Sequence, residues 1–487
     1  MSRRVRAFAN ILSLQLSRVL SKIFSVFFIA IAARYLGTGG FGQWSLVFLL
    51  IGFFGLLADY GLDRMTVRDV ARDLDLSRQY LTNTLTFKLL AIVPVTGLFL
   101  GLIHFAGYPR ETVELLLIAI PILFLNVLST PFSSIIQAHE RIYWVSIVDI
   151  VQGFASSAIG VAILLLGFGI RGLLIMAIGF AFVRFIALWW ITRRLIGNIW
   201  YPISLRFMRA LIGRSFPFAV LGILAVIQMK ADYFLISKML GAEQLGLYAA
   251  AFKIFENIIM MGMAVNAALY PSVSALFGES RERLRRVYER MQKFFVIVAI
   301  PVAIFIFVFA HEIISLMYGQ QYLDSVSVLI IFSLCFAILF PTIPMRLVIN
   351  NSELLMKTLP YSVVMTILNI GLNLFVIPRY GIIGAAVVSF LAGSADVWIR
   401  IHFIRLIFPE DYHPVRVVWR PIIAAAICVS IIIVFSDLGR PLSAVLGFAV
   451  YIFSLHLMGE VGIEEYRLFV REPMVRILSF LAKRQSI

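Results

Sequence analysis

The chain of 487 residues has only two cysteines, Cys335 and Cys428, both inside apolar runs and neither with metal-ligand spacing around it. Neither a disulfide framework nor a zinc site follows, and both thiols are read as packing residues. Charge is scarce as well: Asp, Glu, Lys and Arg make up 14% of the chain, against about 25% in ordinary soluble domains. No sequence of the form G-x-x-x-x-G-K-[ST] occurs, so an ATP-driven pump would need another subunit to hydrolyse the nucleotide. His311-Glu312 lacks the second histidine of a zinc-protease helix, and no other grouping makes a catalytic constellation, so an enzyme is not expected. No segment is composed like a separate soluble domain. The opening Met1-Ser2-Arg3-Arg4 leads into a long span without a small-residue cleavage site and is read as the start of a retained helix, not as a signal peptide.

Apolar surface is what the chain has in excess. It is 61% hydrophobic with a mean hydropathy of +0.96, and its charges fall mostly in short gaps between apolar runs of roughly 20 residues, the length a helix needs to cross a bilayer. An all-α integral membrane protein with about fourteen transmembrane helices is expected. The net charge of +16 would suggest nucleic acid in a soluble protein, but here topology accounts for it. With the N-terminus cytoplasmic, inner loops and tails hold about 30 of the 42 Lys and Arg, which places both termini inside. Arg64, Arg68, Arg72 and Arg78 form one inner cluster, Arg193, Arg194, Arg206, Arg209 and Arg214 a second, and Arg281, Arg283, Arg285, Arg286 and Arg290 a third. Acidic residues interleave with the first and third, as amphipathic surface helices with i to i+4 pairs would require.

Two stretches about 204 residues apart nearly repeat each other: Arg34-Tyr35-Leu36-Gly37-Thr38-Gly39-Gly40-Phe41-Gly42-Gln43-Trp44 and Lys238-Met239-Leu240-Gly241-Ala242-Glu243-Gln244-Leu245-Gly246-Leu247-Tyr248. A second pair, Gly169-Ile170-Arg171-Gly172 and Gly381-Ile382-Ile383-Gly384, lies about 212 residues apart. Spans 1 to 6 therefore correspond to spans 7 to 12, and since six is even the two lobes share one orientation, related by a pseudo-twofold axis along the membrane normal. The expected organisation is an N-lobe over residues 1–195, a C-lobe over 205–408, a further helix pair over 415–460 and a basic cytoplasmic tail over 461–487.

Charges inside the spans are costly, at about 2.5 to 3.5 kcal/mol for Arg or Lys at mid-bilayer. The first span carries Gln15, Arg18, Lys22 and Ser25 on one helical face, consistent with a water-filled cavity lined by cations. The seventh span adds Lys230 and Asp232, and the eighth Lys253, Glu256 and Asn257. Lys253 and Glu256, at i and i+3, can pair, and an internal salt bridge locking an outer gate is the plain alternative to substrate contact. For Asp59, Lys88, Asp149, Arg184, Arg346, Asp396 and Arg400, interface anchoring or helix-to-helix ion pairs is the reading.

The run Asp232-Tyr233-Phe234-Leu235-Ile236, then Leu240-Gly241, then Leu245-Gly246-Leu247-Tyr248-Ala249-Ala250-Ala251-Phe252-Lys253 resembles the seventh-to-eighth helix turn of the polysaccharide flippases in the multidrug, oligosaccharidyl-lipid and polysaccharide exporter superfamily. Arg34 to Trp44 resembles the same family's first turn. The resemblance implies a plasma (inner) membrane protein that moves a polyprenyl-pyrophosphate-linked oligosaccharide, an O-antigen-type polysaccharide precursor, from the inner to the outer leaflet by alternating access. Arg18, Lys22, Lys230 and Lys253 would hold the pyrophosphate, Gln15, Ser25 and Asn257 would line the cavity, and Asp232 or Glu256 would serve ion coupling or gating. It implies no cofactor, with drive from the membrane potential or a proton or sodium gradient. Partners would be the lipid-linked oligosaccharide, membrane lipids, and a polysaccharide polymerase with its chain-length partner, not nucleic acid. The alternatives are a cation-coupled multidrug antiporter of the same superfamily, disfavoured because mid-membrane cations repel cationic drugs, a peptidoglycan-precursor flippase, and a membrane scaffold for glycan assembly.

Overall fold

The computed structural model describes the backbone of residues 3–409 and 414–460, with side chains from Phe24 onward except at 217, 267, 268, 271, 272, 275, 278, 414–416 and 438. Among the described residues every long element is an α-helix: α1 (Arg3–Asp59), α2 (Leu62–Val70), α3 (Ser77–Ala106), α4 (Arg110–Ile118), α5 (Ile120–Ala138), α6 (Ile142–Leu165), α7 (Gly169–Ile196), α8 (Leu205–Met239), α9 (Gly241–Glu279), α10 (Arg281–Val308), α11 (Ala310–Tyr318), α12 (Ser325–Leu339), α13 (Thr342–Asn350), α14 (Leu359–Ile407), α15 (Pro414–Val434) and α16 (Arg440–Leu457). Eleven of the described helices are long and apolar enough to cross a membrane, or twelve if the bent pair α12 and α13 counts as one span. The expected fourteen treats the two arms of α1 and of α14 as separate spans.

Those two helices are broken by glycine. Gly37 (φ 68°) divides α1 and Gly381 (φ 60°) divides α14, both with a left-handed backbone that residues with a Cβ rarely adopt. Their repeat counterparts, Gly241 (φ 89°) and Gly169 (φ 58°), are left-handed too and stand at the first residues of α9 and α7. The repeated letters thus mark repeated turns. Proline acts in two ways. Pro94, Pro131 and Pro301 lie within α3, α5 and α10, while Pro121 opens α5 and Pro341 occupies the 47° break between α12 and α13.

Ser204 and Ser280 set the starts of α8 and α10, each side chain accepting a hydrogen bond from the backbone N–H three residues on. Consequently Arg206, Arg209 and Arg214 lie inside α8. The arginines 281 to 290 form the first turns of α10, with Arg285 and Arg286 on Glu282 at 3.3 and 3.6 Å, and not a separate surface helix. The first cluster does include a short helix of its own, α2, with strongly amphipathic sequence.

The chain forms two compact units. One comprises residues up to 269 with 311–332 and 355–392. Its core includes Leu62, Met65, Tyr80, Phe132, Ile135 and Leu188, which seat α2 against α3, α5 and α7. The other comprises 270–310, 333–354 and the residues from 393 onward. There α10, α15 and α16 pack around Ala424, Cys428, Tyr451 and Leu455, and the Tyr451 hydroxyl donates to the Ile297 carbonyl at 3.1 Å. Both cysteines are buried. The basic tail expected over 461–487 lies outside the described residues.

Within the first unit the two copies of the longer repeat meet. A methyl group at Gly42 would overlap the carbonyl oxygen of Ala242, and one at Gly246 would overlap that of Thr38. Thr38 and Ala242 are equivalent positions, as are Gly42 and Gly246, so the contact is reciprocal. The motif cations cross over as well: Arg34 donates to the carbonyls of Leu316 and, at 3.0 Å, Met317, and Lys238 lies 4.8 Å from the centre of the Tyr108 ring. The Tyr322 hydroxyl reaches the carbonyls of Ala33 and Gly37 at 3.0 and 2.9 Å.

Candidate functional site

On α8 and α9 the costly charges converge. Lys253 and Glu256 are one turn apart on α9, and the Lys253 ammonium donates to Glu256 Oε2 at 2.8 Å. From α8, Lys230 reaches the other carboxylate oxygen, Oε1, at 2.9 Å. Two ammonium groups therefore share one carboxylate, a surplus of one positive charge. Each side chain is largely but not wholly covered, at 19%, 21% and 13% exposure for Lys230, Lys253 and Glu256. Lys230 also lies 4.9 and 4.8 Å from the ring centres of Tyr233 and Phe252, whose faces stabilise a cation. Every proton of an ammonium can donate, and each lysine has given one to Glu256, which leaves donors for oxygens of a further anion.

Asp232, two residues from Lys230, turns the other way. It is buried, and one carboxylate oxygen accepts from the hydroxyls of Tyr248 and, at 3.3 Å, Ser389, while Oδ1 is buried without a hydrogen-bond partner among the described residues. Asn257 Oδ1 is likewise buried and unpartnered among the described residues. Ser25 is half-buried on the first arm of α1. The side chains of Gln15, Arg18 and Lys22 lie outside the described residues; their backbone belongs to that same arm.

A second ionic cluster has the opposite balance. Lys88 of α3 is fully buried, and its ammonium contacts Asp59 at 2.7 Å, Asp63 at 2.7 Å and the Thr130 hydroxyl at 2.6 Å. One cation thus serves two carboxylates. Asp63, on α2 and outside the candidate spans, is pushed up to about 7: burial disfavours its charged form and the Asp59 charge adds to this, against the pull of Lys88. Of the other charges singled out in the sequence, Arg184 of α7 pairs with Asp149 of α6 at 3.1 Å, and Asp396 of α14 pairs with Arg346 of α13 at 3.2 Å and with Arg400, one turn along its own helix, at 2.7 Å.

Three residues in these clusters carry no sequence signal for the role they take: Tyr248 belongs to the repeat and to the resembling motif without any sign of its bond to Asp232, Ser389 lies in an apolar run far from Asp232 in sequence, and Asp63 is one of several acidic residues among the first arginine cluster. No group of three or more His, Cys, Asp or Glu among the described residues is arranged to hold a metal ion.

The fold and these clusters can now be set beside known proteins. A protein of Shigella flexneri named "Putative O-antigen transporter" is 25% identical over 387 residues, covering 73% of this chain and 87% of that protein. Among solved structures, the lipid II flippase MurJ in an inward closed conformation superposes with a TM-score of 0.73 at 16% identity, covering 94% of this chain and 99% of that one. A multidrug resistance MATE family transporter of the MOP superfamily, in an inward-facing conformation, gives a TM-score of 0.67 at 17% identity, covering 83% and 100%. The fold is therefore that of these multi-pass membrane transporters. The model of the family described as "Polysaccharide biosynthesis protein" matches residues 31–327, more than half of the sequence, and the chain belongs to that family.

Proposed function

We propose that this chain is a flippase that carries a polyprenyl-pyrophosphate-linked oligosaccharide, an O-antigen-type polysaccharide precursor, from the inner to the outer leaflet of the plasma membrane. The observation that carries the reading is the surplus ammonium charge of Lys230 and Lys253 around Glu256, deep in apolar helices where an unneeded cation is costly. A pyrophosphate brings about two negative charges and oxygens that accept charge-assisted hydrogen bonds, and Arg18 and Lys22 would add to the same cationic cavity. The name of the Shigella flexneri relative supports this substrate class.

Alternating access needs a closure that can open. The glycine contact between the two repeat copies, together with the Arg34 and Tyr322 bonds that tie the first copy to the 316–322 segment, would close the outer end when both termini are cytoplasmic. Those bonds would break as the lobes rock apart. No nucleotide is needed for drive, since an inside-negative potential favours outward passage of an anion by about 2.3 kcal/mol per charge per 100 mV. If a proton or sodium ion is coupled, Asp232 suits the carrier role better than Glu256, which two lysines already hold. A polysaccharide polymerase and its chain-length partner would receive the product.

The test is movement of a headgroup-labelled, pyrophosphate-linked lipid oligosaccharide across proteoliposome leaflets. Transport by the wild type that weakens in Lys253→Ala supports the reading. A wild type that moves no lipid but takes up an organic cation against an ion gradient replaces it with an antiporter.

A further inference from the structure

Between the two arms of α1 and helices α5, α6 and α7 lies a cavity of about 210 Å³ that none of the charged clusters reaches. All twelve residues lining it are uncharged, whereas an opening of about 390 Å³ elsewhere in the chain is lined by Arg68, Arg72 and Arg214 with Asp69 and Asp73. A pyrophosphate has nothing there to neutralise it, and an organic cation finds no carboxylate. Such a lining suits a neutral ligand.

The walls have two characters. Phe28, Trp44 and Phe48 form one side, Trp44 meeting Phe28 edge-to-face at 6.2 Å between ring centres and Phe48 at 5.0 Å. The Phe28 ring is fixed in turn by Gly160 of α6, where any side chain would overlap it. The other side carries Asn126 from α5 and, one turn apart on a single face of α6, Gln152 and Ser156. These polar groups are underused. Gln152 Oε1 is buried with no hydrogen-bond partner, Asn126 has none from its side chain, and Ser156 bonds only the Gly153 carbonyl of its own helix at 3.3 Å, all among the described residues. An amide oxygen buried without a partner, as at Gln152, is costly in an apolar bundle, and with the exposed Asn126 amide lining the same cavity opposite an aromatic wall it points to a ligand that supplies the missing partners.

Resting on the flippase reading, we infer that this cavity is a carbohydrate subsite that takes one sugar ring of the lipid-linked oligosaccharide. A pyranose offers a C–H face to the aromatic wall and hydroxyls at its rim to the Asn126 and Gln152 amides, and the volume suits a single ring. The pyrophosphate is held elsewhere, by lysines, so headgroup charge and sugar identity are read at separate places.

The experiment compares two lipids in proteoliposomes containing the full chain: a polyprenyl pyrophosphate carrying one hexosamine, and the same lipid pyrophosphate with no sugar. At sub-saturating lipid, Gln152→Leu and Asn126→Leu are each expected to slow the sugar-bearing lipid about tenfold and leave the bare one unchanged. Trp44→Leu is expected to do the same through loss of the stacking face. Equal slowing of both lipids, or no slowing of either, overturns the subsite while leaving the flippase reading intact. A wild type that moves neither lipid overturns both.

Discussion

Two lysine clusters in one compact unit have opposite charge balance. Around Lys88 two carboxylates surround one ammonium; around Glu256 two ammoniums surround one carboxylate. The first is crowded, with three oxygens within 2.7 Å of the ammonium and no exposed surface left on Lys88. It can do little but join α1, α2, α3 and α5. The second is undersaturated and about one-fifth exposed, and holds donors in reserve. Charge balance and exposure thus differ together: the cluster with excess carboxylate is closed, and the one with excess ammonium is open to a further anion.

The comparison breaks most readily at Lys88. Lys88→Met leaves two carboxylates facing each other without a cation and is expected to destabilise the protein by about 3 to 5 kcal/mol, seen as a lower melting temperature in detergent that added pyrophosphate does not restore. Glu256→Gln is expected to cost less, about 1 to 3 kcal/mol, and because it frees two ammoniums, millimolar pyrophosphate should raise its melting temperature more than that of the wild type. Lys253→Ala should leave stability nearly unchanged and raise the lipid concentration for half-maximal flipping roughly tenfold, the worth of one charged hydrogen bond of about 1.5 kcal/mol. The last expected effect is with pH. Asp63, raised to about 7 from an unfolded value of 3.8, holds its proton more tightly in the folded state, so the stabilising contribution is complete below about pH 4 and is lost as pH rises through 7. Melting temperature should decline from pH 5 to 8 in the wild type, and Asp63→Asn should flatten that decline.

Much of the fold could be read from the chain because membrane burial makes the relevant signals expensive and therefore conspicuous. Apolar runs gave the helices, and the repeated glycines gave the turns at Gly37, Gly169, Gly241 and Gly381. Lys253 and Glu256 were legible as a pair because i and i+3 share a face. Lys230 joins them only through the packing of α8 on α9, and Asp232 finds Ser389 across 157 positions of sequence; neither is a local property. The starts of α8 and α10 lie earlier than the apolar runs indicate, since Arg206 to Arg214 read as loop and Arg281 to Arg290 as a separate surface helix, whereas Ser204 and Ser280 cap helices that include those arginines. Gln152 and Asn126 left no trace at all, since an uncharged amide in an apolar run costs too little to stand out.

The reciprocal glycine contact has a consequence for ancestry and engineering. A surface in which position i touches j while j touches i is self-complementary, the mark of an isologous dimer interface; here both halves of it sit on one polypeptide. Because the touching atoms are glycine Cα and backbone carbonyl, the contact is indifferent to side-chain divergence elsewhere. The sequences flanking each copy can therefore diverge while the contact between the copies stays unaltered.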